Sequence, residues 1–203
     1  MATEDRINFK KSALIVVDVQ NDFKKDASEY QCPELDDKLL ASIKELVVFC
    51  RSINIPVIFT QHSIKSDKSN AERGEPDSVR ACIEDTNGWQ VAQEIEPRPE
   101  DYFVTKHKFD AFYESKLEDL LKKLKVDTVI ICGVWTNNCV RATAEGAYYR
   151  NHKLILISDC CGAVDFVDDK DPKKVSMYTL KELKERTYLT KLLTLEALKE
   201  LLE

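Results

Sequence analysis

The sequence predicts an α/β protein: a three-layer α/β/α arrangement around a doubly wound, six-stranded, mainly parallel sheet. Three observations carry that expectation. Residues 12–19, 127–132 and 154–157 are apolar at nearly every position, as strands covered on both faces are. Between such runs lie stretches whose apolar residues recur at helical spacing among charges. The two patterns alternate along the chain, and right-handed crossovers then bring the loops that follow the strands to one edge of the sheet. A length of 203 residues accommodates this as a single domain over residues 1–203.

The first strand, residues 12–19, delivers Asp18 at its carboxyl end, with Gln20-Asn21-Asp22-Phe23 behind it. Pro33 precedes a helix over residues 34–52, in which Leu35, Leu39, Ile43, Leu46, Val47 and Cys50 form one apolar stripe; Asn54 and Pro56 end it. Residues 57–60 make a second strand leading to Gln61 and His62. From 63 to 99 periodicity fades, with Asn87-Gly88 marking a turn, and so long an irregular segment is a candidate lid over a site. Residues 102–104 form a third strand before Lys106-His107-Lys108, residues 114–125 an amphipathic helix, and residues 127–132 a fourth strand. That strand stops at Gly133; a turn through Val134-Trp135-Thr136-Asn137 leads to a helix of small residues, roughly 138–151, that opens with Cys139. The fifth strand, residues 154–157, precedes Ser158-Asp159-Cys160-Cys161-Gly162. Asp171 then caps a helix that has Pro172 at its first position and runs to about Arg186. Residues 188–190 form a sixth, edge strand, and Thr194 caps a last helix over 195–202.

Bulk properties narrow the function. A net charge of -6 with interspersed signs leaves no basic stripe for nucleic acid, and the apolar runs fall far short of membrane-spanning length. The charged amino terminus lacks the apolar core of a signal peptide, so a cytoplasmic protein with a small-molecule partner is expected. Seven cysteines, an odd number without CxxC pairs, read as reduced thiols, most of them small buried hydrophobes; the vicinal Cys160 and Cys161 are included in that reading.

Three chemically capable residues fall at the carboxyl ends of three strands, the edge where open α/β sheets bind ligands: Asp18, Lys106 and Cys139. A thiol at a helix start lies over unsatisfied N–H groups that favour thiolate. Asp18 would take the thiol proton and return it to a leaving group, while Lys106 would hold the carboxylate ionised and favour the thiolate. The residues alone leave other readings open: Cys139 as a core thiol, Asp18 as a turn cap, Lys106 as one solvated charge among several.

Three stretches together resemble the isochorismatase-like cysteine hydrolases, which include N-carbamoylsarcosine amidases, nicotinamidases and ureidoacrylate amidases. They are Val17-Asp18-Val19-Gln20-Asn21-Asp22-Phe23, Lys106-His107-Lys108-Phe109-Asp110-Ala111-Phe112 and Gly133-Val134-Trp135-Thr136-Asn137-Asn138-Cys139-Val140. The resemblance implies an isochorismatase-like, Rossmann-type fold and a catalytic triad of Asp18, Lys106 and Cys139. Lys106 is preferred to Lys108 because the family's lysine stands six residues before the phenylalanine, here Phe112. It further implies a cis peptide between Val134 and Trp135, an oxyanion hole from the backbone N–H groups of Trp135 and Cys139, and assembly into homodimers or tetramers. Phe23, His62, Trp135 and Asn137 are expected to line the substrate pocket. Nicotinamidases of this family hold a divalent metal through an Asp-x-His element; Thr60-Gln61-His62 lacks that aspartate and has no second histidine nearby, so no metal and no cofactor are expected. The function implied is hydrolysis of a small linear amide or N-carbamoyl compound, N-carbamoylsarcosine amidase-like, through a thioester with release of ammonia. The alternatives are a nicotinamidase and a catalytically idle relative serving as a binding subunit. Isochorismatase itself cleaves an enol ether without such a thiol, so Cys139 points away from it.

Overall fold

A computed structural model describes residues 8–70, 81–164, 171–188 and 190–202. Its elements in chain order are β1 (Ser12–Val17), α1 (Asp37–Ser52), β2 (Val57–His62), β3 (Tyr102–Lys106), α2 (Leu117–Lys123), β4 (Thr128–Val134), α3 (Arg141–Tyr149), β5 (Lys153–Gly162), α4 (Pro172–Arg186), β6 (Thr190–Leu193) and α5 (Leu195–Leu202). The sheet order is β3-β2-β1-β4-β5-β6. Every pairing in it is parallel.

The order turns back between β1 and β4, the place where an open parallel sheet leaves a crevice at its carboxyl edge. Crossovers that run in opposite directions from that point put their helices on opposite faces. Side-chain pairs agree: Lys199 joins α5 to Glu45 of α1. On the other face Arg150, just after α3, reaches Glu118 of α2 at 2.7 Å, and Arg141 of α3 reaches Glu182 of α4 at 3.2 Å. Both central strands are buried along their whole length, which is why their sequence is apolar without alternation.

Element ends differ from the sequence expectation where a side chain or a close approach decides them. Helix α1 starts at Asp37 rather than at residue 34, because the Asp36 carboxylate accepts the N–H groups of Lys38 and Leu39 at 3.1 and 3.0 Å. β1 ends at Val17, since Asp18 takes a left-handed φ of 51°. β3 runs two residues beyond the expected end and carries Lys106 within it. β5 extends to Gly162 through a bulge opposite Ile131 and Gly133, and β6 lies at 190–193 rather than 188–190, the expected Leu189 lying outside the described residues.

The segment from 63 to 99, expected as a candidate lid, is in its described parts hydrogen-bonded to the residues that follow β1; residues 71–80 lie outside the described residues. Gln20 and Val91 form an antiparallel bridge, Asn21 N–H bonds the Gln90 carbonyl at 3.0 Å, and Asp22 N–H bonds the Gly88 carbonyl at 3.0 Å. The segment's own Ala81, Cys82, Val91, Ala92 and Ile95 are buried. No described helix is long and apolar enough to cross a membrane.

Candidate active site

The site lies where β1, β3 and β4 end. Gly133 has a φ of +116°, and a Cβ there would stand 2.2 Å from the Val17 carbonyl oxygen, so only glycine lets β4 approach β1 this closely just before Asp18 leaves the sheet. The Val134–Trp135 peptide that follows is cis. The chain then makes a π turn over Thr136–Val140, continuous with α3, and Cys139 sits within that turn. Thr136 Oγ1 hydrogen-bonds Ser176 Oγ of α4 at 2.8 Å, tying the turn to the helix layer.

Asp18 and Lys106 are wholly buried and Cys139 nearly so. Lys106 Nζ stands 2.7 Å from Asp18 Oδ2, donates to Cys139 Sγ at 3.3 Å and to the Lys108 carbonyl at 2.9 Å. The ammonium thus makes two hydrogen bonds and one close ion pair. Asp18 is anchored from β2 as well: Thr60 Oγ1 donates to Asp18 Oδ1 at 2.7 Å and accepts the Asp18 N–H at 3.2 Å.

The electrostatics correct one expectation. Burial pushes the Cys139 thiol up to about 12, and the Lys106 ammonium pulls against that without reversing it, so the sulfur rests as a thiol rather than a thiolate. A single π turn that runs into α3 does not offset desolvation of a nearly enclosed sulfur. For Lys106 burial is also the largest influence, acting downward, yet the Asp18 carboxylate and the Cys139 sulfur together raise it above the ordinary lysine value and keep it charged.

The remaining sequence-predicted residues fall around this cluster. His62 is paired with Lys106 in the β2–β3 register. Burial first, and the Lys106 charge second, lower it to about 3, so its ring is neutral, and Nδ1 is buried without a hydrogen-bond partner among the described residues. Phe23 and Trp135 pack ring against ring at 5.3 Å. Asn137 is an anchor of the turn: its Nδ2 donates to the Val164 carbonyl at 2.9 Å and its Oδ1 accepts the Val164 N–H at 3.3 Å, which commits the amide expected in the pocket. Among the described residues no group of three His, Cys, Asp or Glu side chains is placed to hold a metal ion. His62 has Gln61 beside it and no acidic neighbour in the Asp-x-His position, so these residues do not fit the divalent-metal site associated with nicotinamidases. All seven cysteines are free and buried, Cys160 and Cys161 among them.

Two residues of the site were missed by sequence reasoning. Thr60 closes the β2 run, and nothing in its own type separates a strand-end threonine from any other. Gln20 lies inside a motif already singled out, and its wholly buried amide joins three segments. Its Oε1 accepts the His62 N–H at 2.8 Å, and its Nε2 donates to the carbonyls of His62 at 3.0 Å and Trp89 at 2.7 Å.

Comparison with known proteins agrees with this architecture. The Isochorismatase domain model matches residues 12–185, a span that contains Asp18, Lys106 and Cys139. Nicotinamidase 3 of Arabidopsis thaliana is 30% identical over 154 residues, covering 75% of this chain and 73% of that protein. Among solved structures, a cysteine hydrolase from Pseudomonas syringae pv. phaseolicola superposes with a TM-score of 0.85 at 24% identity, over 96% of this chain and 93% of that one. The N-carbamoylsarcosine amidase of Thermoplasma acidophilum superposes with a TM-score of 0.73 at 27% identity, over 92% and 97%.

Proposed function

The chain belongs to the isochorismatase domain family, and from that premise we propose that it is a cysteine amidohydrolase that opens a small linear amide or N-carbamoyl group through a thioester and releases ammonia. The observation that carries this reading is the enclosed ammonium of Lys106, held between Asp18 Oδ2 at 2.7 Å and Cys139 Sγ at 3.3 Å.

Because the sulfur rests as a thiol, activation is a proton transfer to Asp18 that accompanies attack, with the Lys106 charge compensating the thiolate as it forms. A C–S bond forms as the carbonyl π electrons move to oxygen, and the backbone N–H groups of Trp135 and Cys139 are the donors proposed for that oxyanion. Collapse of the tetrahedral intermediate breaks the C–N bond, and Asp18 returns its proton to the departing ammonia. Water then adds to the thioester and gives a proton to Asp18; collapse of this second intermediate breaks the C–S bond, Asp18 returns the proton to the departing sulfur, and the acid product leaves. Lys106 is wholly buried, with its ammonium against Asp18, Cys139 and the Lys108 carbonyl, which supports an electrostatic role for it rather than a binding role.

Phe23, His62 and Trp135 are the proposed pocket residues, with Asn137 shaping the pocket through the turn. A neutral His62 suits an uncharged urea-like or amide group, which supports an N-carbamoyl compound as the first substrate class. The nicotinamidase relative at 30% identity keeps nicotinamide as the second. No step is assigned to a metal.

The test is ammonia release across N-carbamoyl amino acids, ureidoacrylate and nicotinamide, with Cys139→Ala run beside the wild type. The variant is expected to lose at least about 10³-fold in turnover while keeping its circular dichroism spectrum. Turnover retained in the folded variant would sink the mechanism.

A further inference from the structure

We propose that Thr60 is a positioning residue for the Asp18 base, holding one carboxylate oxygen so that the other faces Lys106 and Cys139. This rests on the reading of Asp18 as the base in the proposed hydrolysis. Two hydrogen bonds between the same two residues define the geometry: Asp18 N–H donates to Thr60 Oγ1 at 3.2 Å, and Thr60 Oγ1 donates to Asp18 Oδ1 at 2.7 Å. The first bond orients the second. With a lone pair of Oγ1 taken by the N–H, the hydroxyl proton is directed at the carboxylate, so Thr60 is a fixed donor rather than a free rotor.

The backbone makes the arrangement possible. Val16 pairs with Phe59 in the parallel β1–β2 register, so Thr60 is the next β2 residue level with the end of β1. Asp18 leaves the strand with a φ of 51°, and its N–H meets a side chain of β2 instead of the strand backbone. Both residues are wholly buried, so no water substitutes for either bond without rearrangement.

The division of the carboxylate follows. Oδ1 receives a neutral donor and Oδ2 an ammonium at 2.7 Å. A proton leaving Cys139 therefore has Oδ2 as its acceptor, the oxygen next to the Lys106 ammonium that also touches the sulfur. The other titratable groups around Asp18 are Lys106 from β3, Cys139 from the π turn, His62 from β2 and Cys82 from the covering segment.

The experiment reads the sulfur directly and needs no substrate: the rate at which iodoacetamide alkylates Cys139, followed by mass spectrometry across pH, in wild type, Thr60→Val and Thr60→Ser. Thr60→Val keeps the side-chain shape and removes the hydroxyl; its alkylation rate at each pH is expected to be several-fold lower. Thr60→Ser, which retains the hydroxyl, is expected to return the rate to within about two-fold of wild type. Thermal melts separate this from stability, because valine also strips the Asp18 N–H of its acceptor and a lower melting temperature alone is expected. A folded Thr60→Val protein with the wild-type rate would overturn the assignment. Wild-type Cys139 alkylating no faster than the other six cysteines would instead count against the proposed nucleophile, whatever the Thr60 variants do.

Discussion

Lys106 is the side chain whose removal acts on both stability and chemistry. It is an ammonium with no exposed surface, and its attraction to Asp18 offsets the desolvation of both charges. Lys106→Met leaves Asp18 as a buried carboxylate with only the Thr60 hydroxyl beside it, and a loss of about 3 to 5 kcal/mol is expected from urea denaturation. The double variant Lys106→Met, Asp18→Asn removes both charges and is expected to regain much of that loss while remaining inactive. Additive losses in the double variant would show that the two charges do not stabilise each other in the fold. The same cluster explains why the thiol needs a base: an enclosed sulfur pushed up to about 12 supplies almost no thiolate near neutrality unless a partner takes its proton.

At the scale of elements, the turn Asn21–Phe23 and the Gln20 before it act as a clasp on the covering segment. The Asp22 carboxylate accepts the Cys82 N–H at 2.6 Å, and Asn21 Nδ2 donates to the Asn87 carbonyl at 2.8 Å. Gly88 leaves room for the clasp, since a Cβ there would meet the Asp22 carboxylate at 2.1 Å and push it aside. Gly88→Ala is expected to displace that carboxylate and release the segment, read as faster tryptic cleavage between β2 and β3 with the remaining fragments unchanged. A wild-type digestion rate in the variant would show that Asp22 does not hold the cover. Gly133→Ala meets the backbone of β1 rather than a side chain, and its φ of +116° is also unfavourable to alanine, so loss of folded protein is the expected outcome there.

For the whole molecule, buried ionisable groups define a pH window of stability. Burial pushes the thiols of Cys50 and Cys139 from an ordinary 9.0 up to about 12. Groups raised on folding stabilise fully below their unfolded value and lose that contribution as pH climbs through the folded one, so stability is expected to fall above about pH 9. His62 moves the other way, from 6.5 to about 3, and its contribution is present above 6.5 and lost as pH falls toward 3. Melting temperatures in reducing buffer should therefore peak between about pH 6.5 and 9. His62→Gln should flatten the acidic side, and an unchanged melting temperature up to about pH 11 would contradict the alkaline side.

Much of this was legible in the sequence because it is local. Unbroken apolar runs mark the central strands, a stripe at helical spacing marks α1, and Asp171-Pro172 marks the start of α4, where the Asp171 side chain accepts the Lys173 N–H at 3.0 Å. The order of strands and helices implied the doubly wound sheet, and with it a shared edge for Asp18, Lys106 and Cys139. What only the tertiary structure decided depends on residues far apart in the chain. Asp36 displaced the start of α1, Gln20 and Asp22 hydrogen-bonded the segment expected as a lid, and Thr60 met Asp18 across 42 positions. Asn137 found its partner in Val164, and burial raised the Cys139 thiol because desolvation is summed over everything that packs around the sulfur. Periodicity records which face of an element is buried; it does not record which side chain of another element arrives there, or how much water that arrival removes.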